Sequence, residues 1–239
     1  MMPYTYQIDH QPSYAGLNIE LDSGQSIIVA SAAMAAMDAS LTLESSVRGG
    51  LLKGIKRMAT GGSLFMSEFT ASANGGNIYI TPVVPGDILH YYLDGTTGLI
   101  LEASEFLACS PQVEMETNLG RIQSFYANQS LFLAHFFGEG DIWFNSYGAV
   151  IEVPVDGEYI IDTGYITAFE DSLDYRIEIV SEFAFHDVIR HSLLNRQANI
   201  INQNTLVCRF QGEGRVWLQA RKLDQLMTFL ECYRKVKSK

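Results

Sequence analysis

Ser130-Leu131-Phe132-Leu133-Ala134-His135-Phe136, followed by Gly138-Glu139-Gly140-Asp141-Ile142-Trp143-Phe144, decides how this chain reads, because the pattern occurs three times. An earlier copy runs Ser63-Leu64-Phe65-Met66-Ser67-Glu68-Phe69 and then Gly75-Gly76-Asn77-Ile78-Tyr79-Ile80. A later copy runs Asn204-Thr205-Leu206-Val207-Cys208-Arg209-Phe210 and then Gly212-Glu213-Gly214-Arg215-Val216-Trp217-Leu218. Ile78 and Ile142 are 64 positions apart, and Ile142 and Val216 are 74 apart. Repetition on this scale governs the fold, since each unit must bury its apolar face against a neighbour. In every copy, apolar residues alternate, glycines follow, and a second alternating run carries an aromatic residue at its middle. That spacing predicts a β-hairpin whose glycines supply positive φ in the turn.

A second marker has a similar period. Ser23-Gly24-Gln25-Ser26-Ile27-Ile28, Pro85-Gly86-Asp87-Ile88-Leu89 and Asp156-Gly157-Glu158-Tyr159-Ile160-Ile161 each place Gly and a polar residue before an apolar strand. They lead into the small and apolar runs Ser31 to Met37, Ser104 to Cys109 and Thr163 to Phe169. The expectation is an all-β chain: three repeated β-sandwich-like units, residues 14–80, 81–148 and 149–220, about a pseudo-threefold axis in a single domain. Two segments depart from the β rhythm. Leu51, Leu52, Ile55 and Met58 recur at helical spacing between Gly49 and Gly62, with Lys53, Lys56 and Arg57 on the remaining face. In the tail, residues 221–239, Leu223, Leu226, Met227, Leu230 and Tyr233 repeat every three to four residues, with basic residues in the last turn. Both read as short amphipathic helices, the second packed on a sheet edge or a neighbouring subunit. A weaker helical pattern covers Phe185 to Leu194.

The chain of 239 residues has net charge −11, distributed unevenly. Between Met58 and Tyr175, Arg121 is the only basic residue against sixteen acidic ones, a net −15, whereas residues 221–239 carry six basic and two acidic residues, a net +4. Phosphate contacts dominate nucleic-acid affinity, so the acidic middle argues against DNA and weighs against RNA. No apolar run approaches the roughly 20 residues that a spanning helix needs. Three scattered cysteines, Cys109, Cys208 and Cys232, form no CxxC pair and fit a reducing compartment.

Motifs for catalysis are missing from the sequence: no GxSxG, HExxH, P-loop or strand-to-helix GxGxxG occurs. The histidines, His10, His90, His135, His186 and His191, lack an i, i+4 pair, so no helical metal site is expected. Glu114 and Glu116 alternate on one strand face and read as a solvated pair, while Tyr79, Trp143 and Trp217 read as packing aromatics.

The run Met34 to Leu43, with Gly49-Gly50-Leu51, Lys56-Arg57, Leu64-Phe65, Phe69, Pro85-Gly86-Asp87, Phe106-Leu107-Ala108, Gly138-Glu139-Gly140 and Ser146-Tyr147-Gly148, resembles the altered inheritance of mitochondria protein 24 family. The resemblance spans roughly Tyr14 to Arg221. It implies three β units related to the tryptophan RNA-binding attenuation protein, and no established activity, metal or cofactor. Fungal members are mitochondrial and linked to inner-membrane organisation; lacking an Arg- and Ser-rich leader, this sequence points to a cytoplasmic setting. In the third unit, Leu193-Leu194-Asn195-Arg196 and Asn202-Gln203-Asn204-Thr205 replace the family's glycine-rich segment.

These readings converge on a non-enzymatic scaffold without cofactor or metal that binds a protein partner or assembles with itself. The contact residues expected are Leu51, Leu52, Lys53, Ile55, Lys56 and Arg57 in the loop, and Arg234 and Lys235 in the tail. Peripheral membrane contact through the basic loop, RNA binding and small-molecule binding between repeats are the alternative readings.

Overall fold

The computed structural model describes residues 3–31, 33–44, 66–116, 122–123, 130–131, 133–180, 205–231 and 233. Strands dominate. The first stretch contains β1 (Thr5–Asp9), β2 (Gly16–Leu21), β3 (Ser26–Ala30), β4 (Met34–Met37), β5 (Leu41–Glu44), β6 (Met66–Ala71) and β7 (Gly76–Ile80). The second contains β8 (Gly86–Asp94), β9 (Leu99–Glu102), β10 (Phe106–Cys109), β11 (Glu114–Glu116), β12 (Ile122–Gln123), β13 (Ser130–Leu131), β14 (Leu133–Phe137) and β15 (Glu139–Tyr147). The third contains β16 (Val150–Asp162), β17 (Ile166–Glu170), β18 (Asp174–Val180) and β19 (Thr205–Gln219), followed by helix α1 (Leu223–Glu231).

The chain is therefore all-β with a C-terminal helix, as the sequence predicts. The Gly49 to Gly62 loop helix and the Phe185 to Leu194 pattern lie outside the described residues.

The repeated motif is not a hairpin. In the first copy, β6 pairs with β3 and β5, whereas β7 pairs with β2 and β4 in another sheet. In the second, β14 pairs with β9 and β11, whereas β15 pairs with β8 and β10. In the third, both halves belong to one long strand, β19, whose first half pairs with β18 and whose second half pairs with β17, while β16 accompanies both. The glycines thus bend one continuing path between two sets of partners instead of reversing it. A hairpin and a bent strand share the same alternation on either side of glycine, so the one-dimensional pattern cannot separate them.

Three main sheets result, in the orders β1-β2-β7-β4, β5-β6-β3-β10-β15-β8 and β11-β14-β9-β17-β19-β16, with β18 beside β19. The second sheet joins the first stretch to the second across β3 and β10, with Ala108 opposite Val29 and Cys109 opposite Ile28. The third repeats that junction across β9 and β17, with Ala168 opposite Leu101 and Phe169 opposite Ile100. Among the described strands this series is not closed on itself, and the pseudo-threefold axis expected from the sequence is not confirmed.

The core forms between these sheets. Leu17, Ile19 and Ile78 of the first sheet face Ile27, Val29 and Phe69 of the second in one cluster. Leu93, Ile142 and Phe144 meet Leu99, Phe136 and Ala168 in the next. Val155, Ile161, Phe169, Phe210 and Val216 fill a third within the curl of the last sheet. Trp143 lies in the first cluster and Trp217 in the second, so each tryptophan enters the core of the preceding stretch. Burying rings of this size supplies much of the adhesion between units.

The second sequence marker is corrected in part. Gly24 (φ 74°) precedes β3 and Gly157 (φ 98°) stands within β16 ahead of Glu158–Asp162, each leading to the small and apolar run, but Gly86 opens β8. The matching residue of the second stretch is Gly95 (φ 83°), in the turn between β8 and β9.

Candidate functional site

The repeated glycines have a second reason beyond turn geometry. A Cβ at Gly76 would stand 2.5 Å from Ser40 Oγ, one at Gly140 2.9 Å from Ser110 Cβ, and one at Gly214 2.7 Å from Ser172 Oγ. In each case a short turn presses on the bent strand. That turn carries an acceptor: Asp38 Oδ2 accepts the N–H of Asn77 at 2.8 Å, Ser110 Oγ that of Asp141 at 2.8 Å, and Glu170 Oε2 that of Arg215 at 2.8 Å. The next apolar residues, Leu41, Val113 and Leu173, are buried, and each donates its N–H back to the same acceptor-bearing residue's carbonyl. Three different side chains do this work, Asp, Ser and Glu, which hides the equivalence from a residue-by-residue reading.

One of these acceptors centres a polar network. Glu170 is buried; its Oε1 accepts Nε and Nη2 of Arg215 at 2.9 and 2.6 Å and the hydroxyl of Tyr91 at 3.0 Å. The Arg215 guanidinium lies 5.1 Å from the Trp217 ring and 5.3 Å from the Tyr91 ring, close enough for cation–π attraction. Trp217 Nε1 donates to Glu152 Oε2 at 2.9 Å. Desolvation, then the neighbouring Glu170 carboxylate, pushes the Tyr91 phenol up to about 12. Glu170 is paired with Arg215 and Glu152 accepts the Trp217 N–H, and the members come from β8, β16, β17 and β19, so the chemistry of the network is that of a fastening between strands.

A second cluster surrounds Trp143. His90 Nε2 lies 2.7 Å from Asp141 Oδ1, and the imidazole lies against the Trp143 and Tyr6 rings at 5.1 and 4.8 Å. His135 pairs with Asp171 at 2.9 Å. Among the described residues, no group of three His, Cys, Asp or Glu side chains converges as a metal site would require. Cys109 and Cys208 are buried free thiols, and burial pushes both away from thiolate formation, Cys208 up to about 12. Glu114 and Glu116 are exposed on β11. Trp143 and Trp217 are buried packing aromatics; Tyr79, at the corresponding position of β7, is only half-buried.

The contact residues expected from the sequence, Leu51, Leu52, Lys53, Ile55, Lys56, Arg57, Arg234 and Lys235, lie outside the described residues. Exposed apolar surface among the described residues includes helix α1 and two strand edges. Helix α1 buries none of its residues: Leu223, Met227, Phe229 and Leu230 are exposed, with Tyr233 just beyond. Its start is anchored by Lys222, whose Nζ donates to Asp162 Oδ2 at 2.6 Å and lies over the Tyr165 ring. One of the edges is β4, where Met34, Ala35, Ala36 and Met37 are all exposed. Sequence reasoning placed Met34 and Met37 in a repeated run without seeing that only this copy of it is uncovered.

These features define an all-β protein of bent strands and joined sheets whose exposed apolar surfaces include sheet edges and the terminal helix. The chain belongs to the mitochondrial biogenesis AIM24 family, whose description matches residues 6–221. It is also similar to a Streptococcus pyogenes protein of known crystal structure: 25% identity, TM-score 0.72, and coverage of 97% of this chain and 100% of that one. No curated protein matches it. No helix among the described residues is long and apolar enough to cross a membrane.

Proposed function

We propose that this protein is a non-enzymatic β scaffold that acts by binding a protein partner or by assembling with itself, in a cytoplasmic setting. One observation carries the reading: α1 holds Leu223, Met227, Phe229 and Leu230 out to solvent, and none of its residues is buried. Most helical stability in proteins comes from packing an apolar face, so a nine-residue helix left bare is short of the contacts that would hold it. A partner surface supplies them. The polar groups of Glu170, Arg215 and Tyr91, in contrast, are engaged with one another.

Sedimentation and affinity capture from the native host, comparing the intact chain with one truncated after Arg221, test the proposal. Loss of assembly or of a captured protein on truncation supports it. Identical assembly and identical capture by the two chains contradict it.

A further inference from the structure

Edges of sheets expose unpaired backbone donors and acceptors and are ordinarily short, charged or covered. Among the described strands, β5 and β11 end their sheets in corresponding places, and β8 is bare where its counterpart β2 is covered by β1. Two further free edges complement each other. β4 corresponds to β10 and β17, because all three pair with the bent strand through the same irregularity: between Met34 and Ala36 on β7, between Phe106 and Ala108 on β15, and between Ile166 and Ala168 on β19. β10 and β17 have a second partner on their other side, β3 and β9, and β4 has none among the described strands. In turn, the second half of β16, Glu158–Asp162, corresponds to β3 and β9, since each pairs with the first half of its bent strand. Its outer side also has no partner among the described strands.

The side chains record the same vacancy. Phe106 and Cys109 are 2% and 3% exposed, and Ile166 and Phe169 are 3% and 1%, whereas Met34 and Met37 are 36% and 40%. Leu99 and Ile100 on β9 are 0% and 5% exposed, whereas Tyr159 and Ile160 on β16 are 44% and 47%. Trp143 and Trp217 each fill the core of the preceding stretch, while Tyr79, their counterpart beside β4, is only half-buried. β4 carries no charge to discourage pairing. The described strands thus present both halves of a junction that is built twice among them and left unmade once.

We propose that the molecule self-assembles by pairing the β4 edge of one copy antiparallel to the Glu158–Asp162 edge of a second copy. By the register of the two internal junctions, Ala36 lies opposite Ile161 and Met37 opposite Ile160. The contact is head-to-tail, because the two edges differ, and it propagates or closes into a ring. Bringing the strands together buries Met34, Met37, Tyr159 and Ile160, and seats Tyr79 against the core beneath β16 of its neighbour. α1 begins at the Lys222–Asp162 pair, beside the end of this edge, so its bare apolar face adjoins the new contact. The inference extends the scaffold reading but is separable from it, since truncating α1 leaves both edges intact.

The double variant Met37→Cys/Ile160→Cys, oxidised in the purified full chain, is the test, with each single variant as control. Residues directly opposite on antiparallel strands are within disulfide reach. Reducible dimers and larger species from the double variant alone are expected. A disulfide within one chain, or no cross-link at all, overturns the proposal. Met37→Lys supplies an independent measurement: its side chain is exposed in the single chain, so folding is preserved, but the pairing would bury the charge. Sedimentation velocity is expected to move from a multiple of 26.6 kDa to that mass itself. A lone 26.6 kDa species in the unsubstituted chain, or an assembly unchanged by Met37→Lys, contradicts the proposal.

Discussion

Gly140 shows how one residue meets two demands. Its φ of 151° is unfavourable to L side chains, and Ser110 and Val113 leave no room for a Cβ, the nearest atoms standing 2.9 to 3.2 Å away. Gly140→Ala therefore strains the backbone and forces the turn from the strand that it caps. The expected loss is about 1–3 kcal/mol, measured by urea unfolding. A change within about 0.5 kcal/mol, the range of ordinary surface substitutions, contradicts the account. Glu105 offers a test of a different kind. Asn145 Nδ2 donates to its carboxylate, yet burial, with added repulsion from Glu102, pushes the Glu105 carboxyl from its ordinary 4.5 up to about 8. Between those values the folded chain holds a proton that the unfolded chain has released, so this group's contribution to stability is present below pH 4.5 and is lost as pH rises through 8. Glu105→Gln keeps an acceptor for Asn145 and does not titrate. The stability difference, variant minus parent, is expected to grow between pH 4.5 and 8 and to level off above; a difference independent of pH contradicts the raised carboxyl.

Among the elements, β17 and β19 are fastened by Glu170, which also reaches β8 through Tyr91. Removing the acceptor by Glu170→Ala leaves the Arg215 N–H and the Tyr91 hydroxyl without their partner. Arg215 is 42% exposed and can rehydrate, which limits the expected loss to about 1–3 kcal/mol. Thermal unfolding that is unchanged in Glu170→Ala would show that the network fastens nothing. Helix α1 predicts the opposite. Because it buries no residue, truncation after Arg221 is expected to leave the midpoint of thermal unfolding of the dissociated chain nearly unchanged, and a large drop would place the helix in the fold's own core. Much at this scale is legible in the sequence. Alternation and glycine spacing give the strands around Ile78, Ile142 and Val216, and periodicity gives α1. What could not be read is which strands pair: Gly138 and Gly140 bend a path between sheets, and the choice between bending and reversing is made by partners far away in sequence, such as β9 and β10 for β14 and β15. The acceptors Asp38, Ser110 and Glu170 were equally hidden, since a shared backbone bond tolerates any oxygen-bearing side chain of suitable reach.

At the scale of the molecule, the chain carries net charge −11, and its acidic middle, net −15 between Met58 and Tyr175, includes β16, whereas β4 lies outside that stretch and carries no charge. Like charge slows encounter between copies and is screened by salt, so added salt is expected to favour an assembly held by apolar strand edges. The residues that would form the unmade junction were visible in the sequence only as members of a repeated run; their role emerges from comparing Met34 and Met37 with their buried counterparts Phe106, Cys109, Ile166 and Phe169. Amide hydrogen exchange followed as a function of protein concentration reads the proposed edge pairing at the backbone, since strand pairing protects backbone N–H groups. Peptides covering Met34–Met37 and Glu158–Asp162 are expected to gain protection together as concentration rises, while the already paired β10 and β17 stay constant. Exchange in both peptides that is independent of concentration would contradict that pairing.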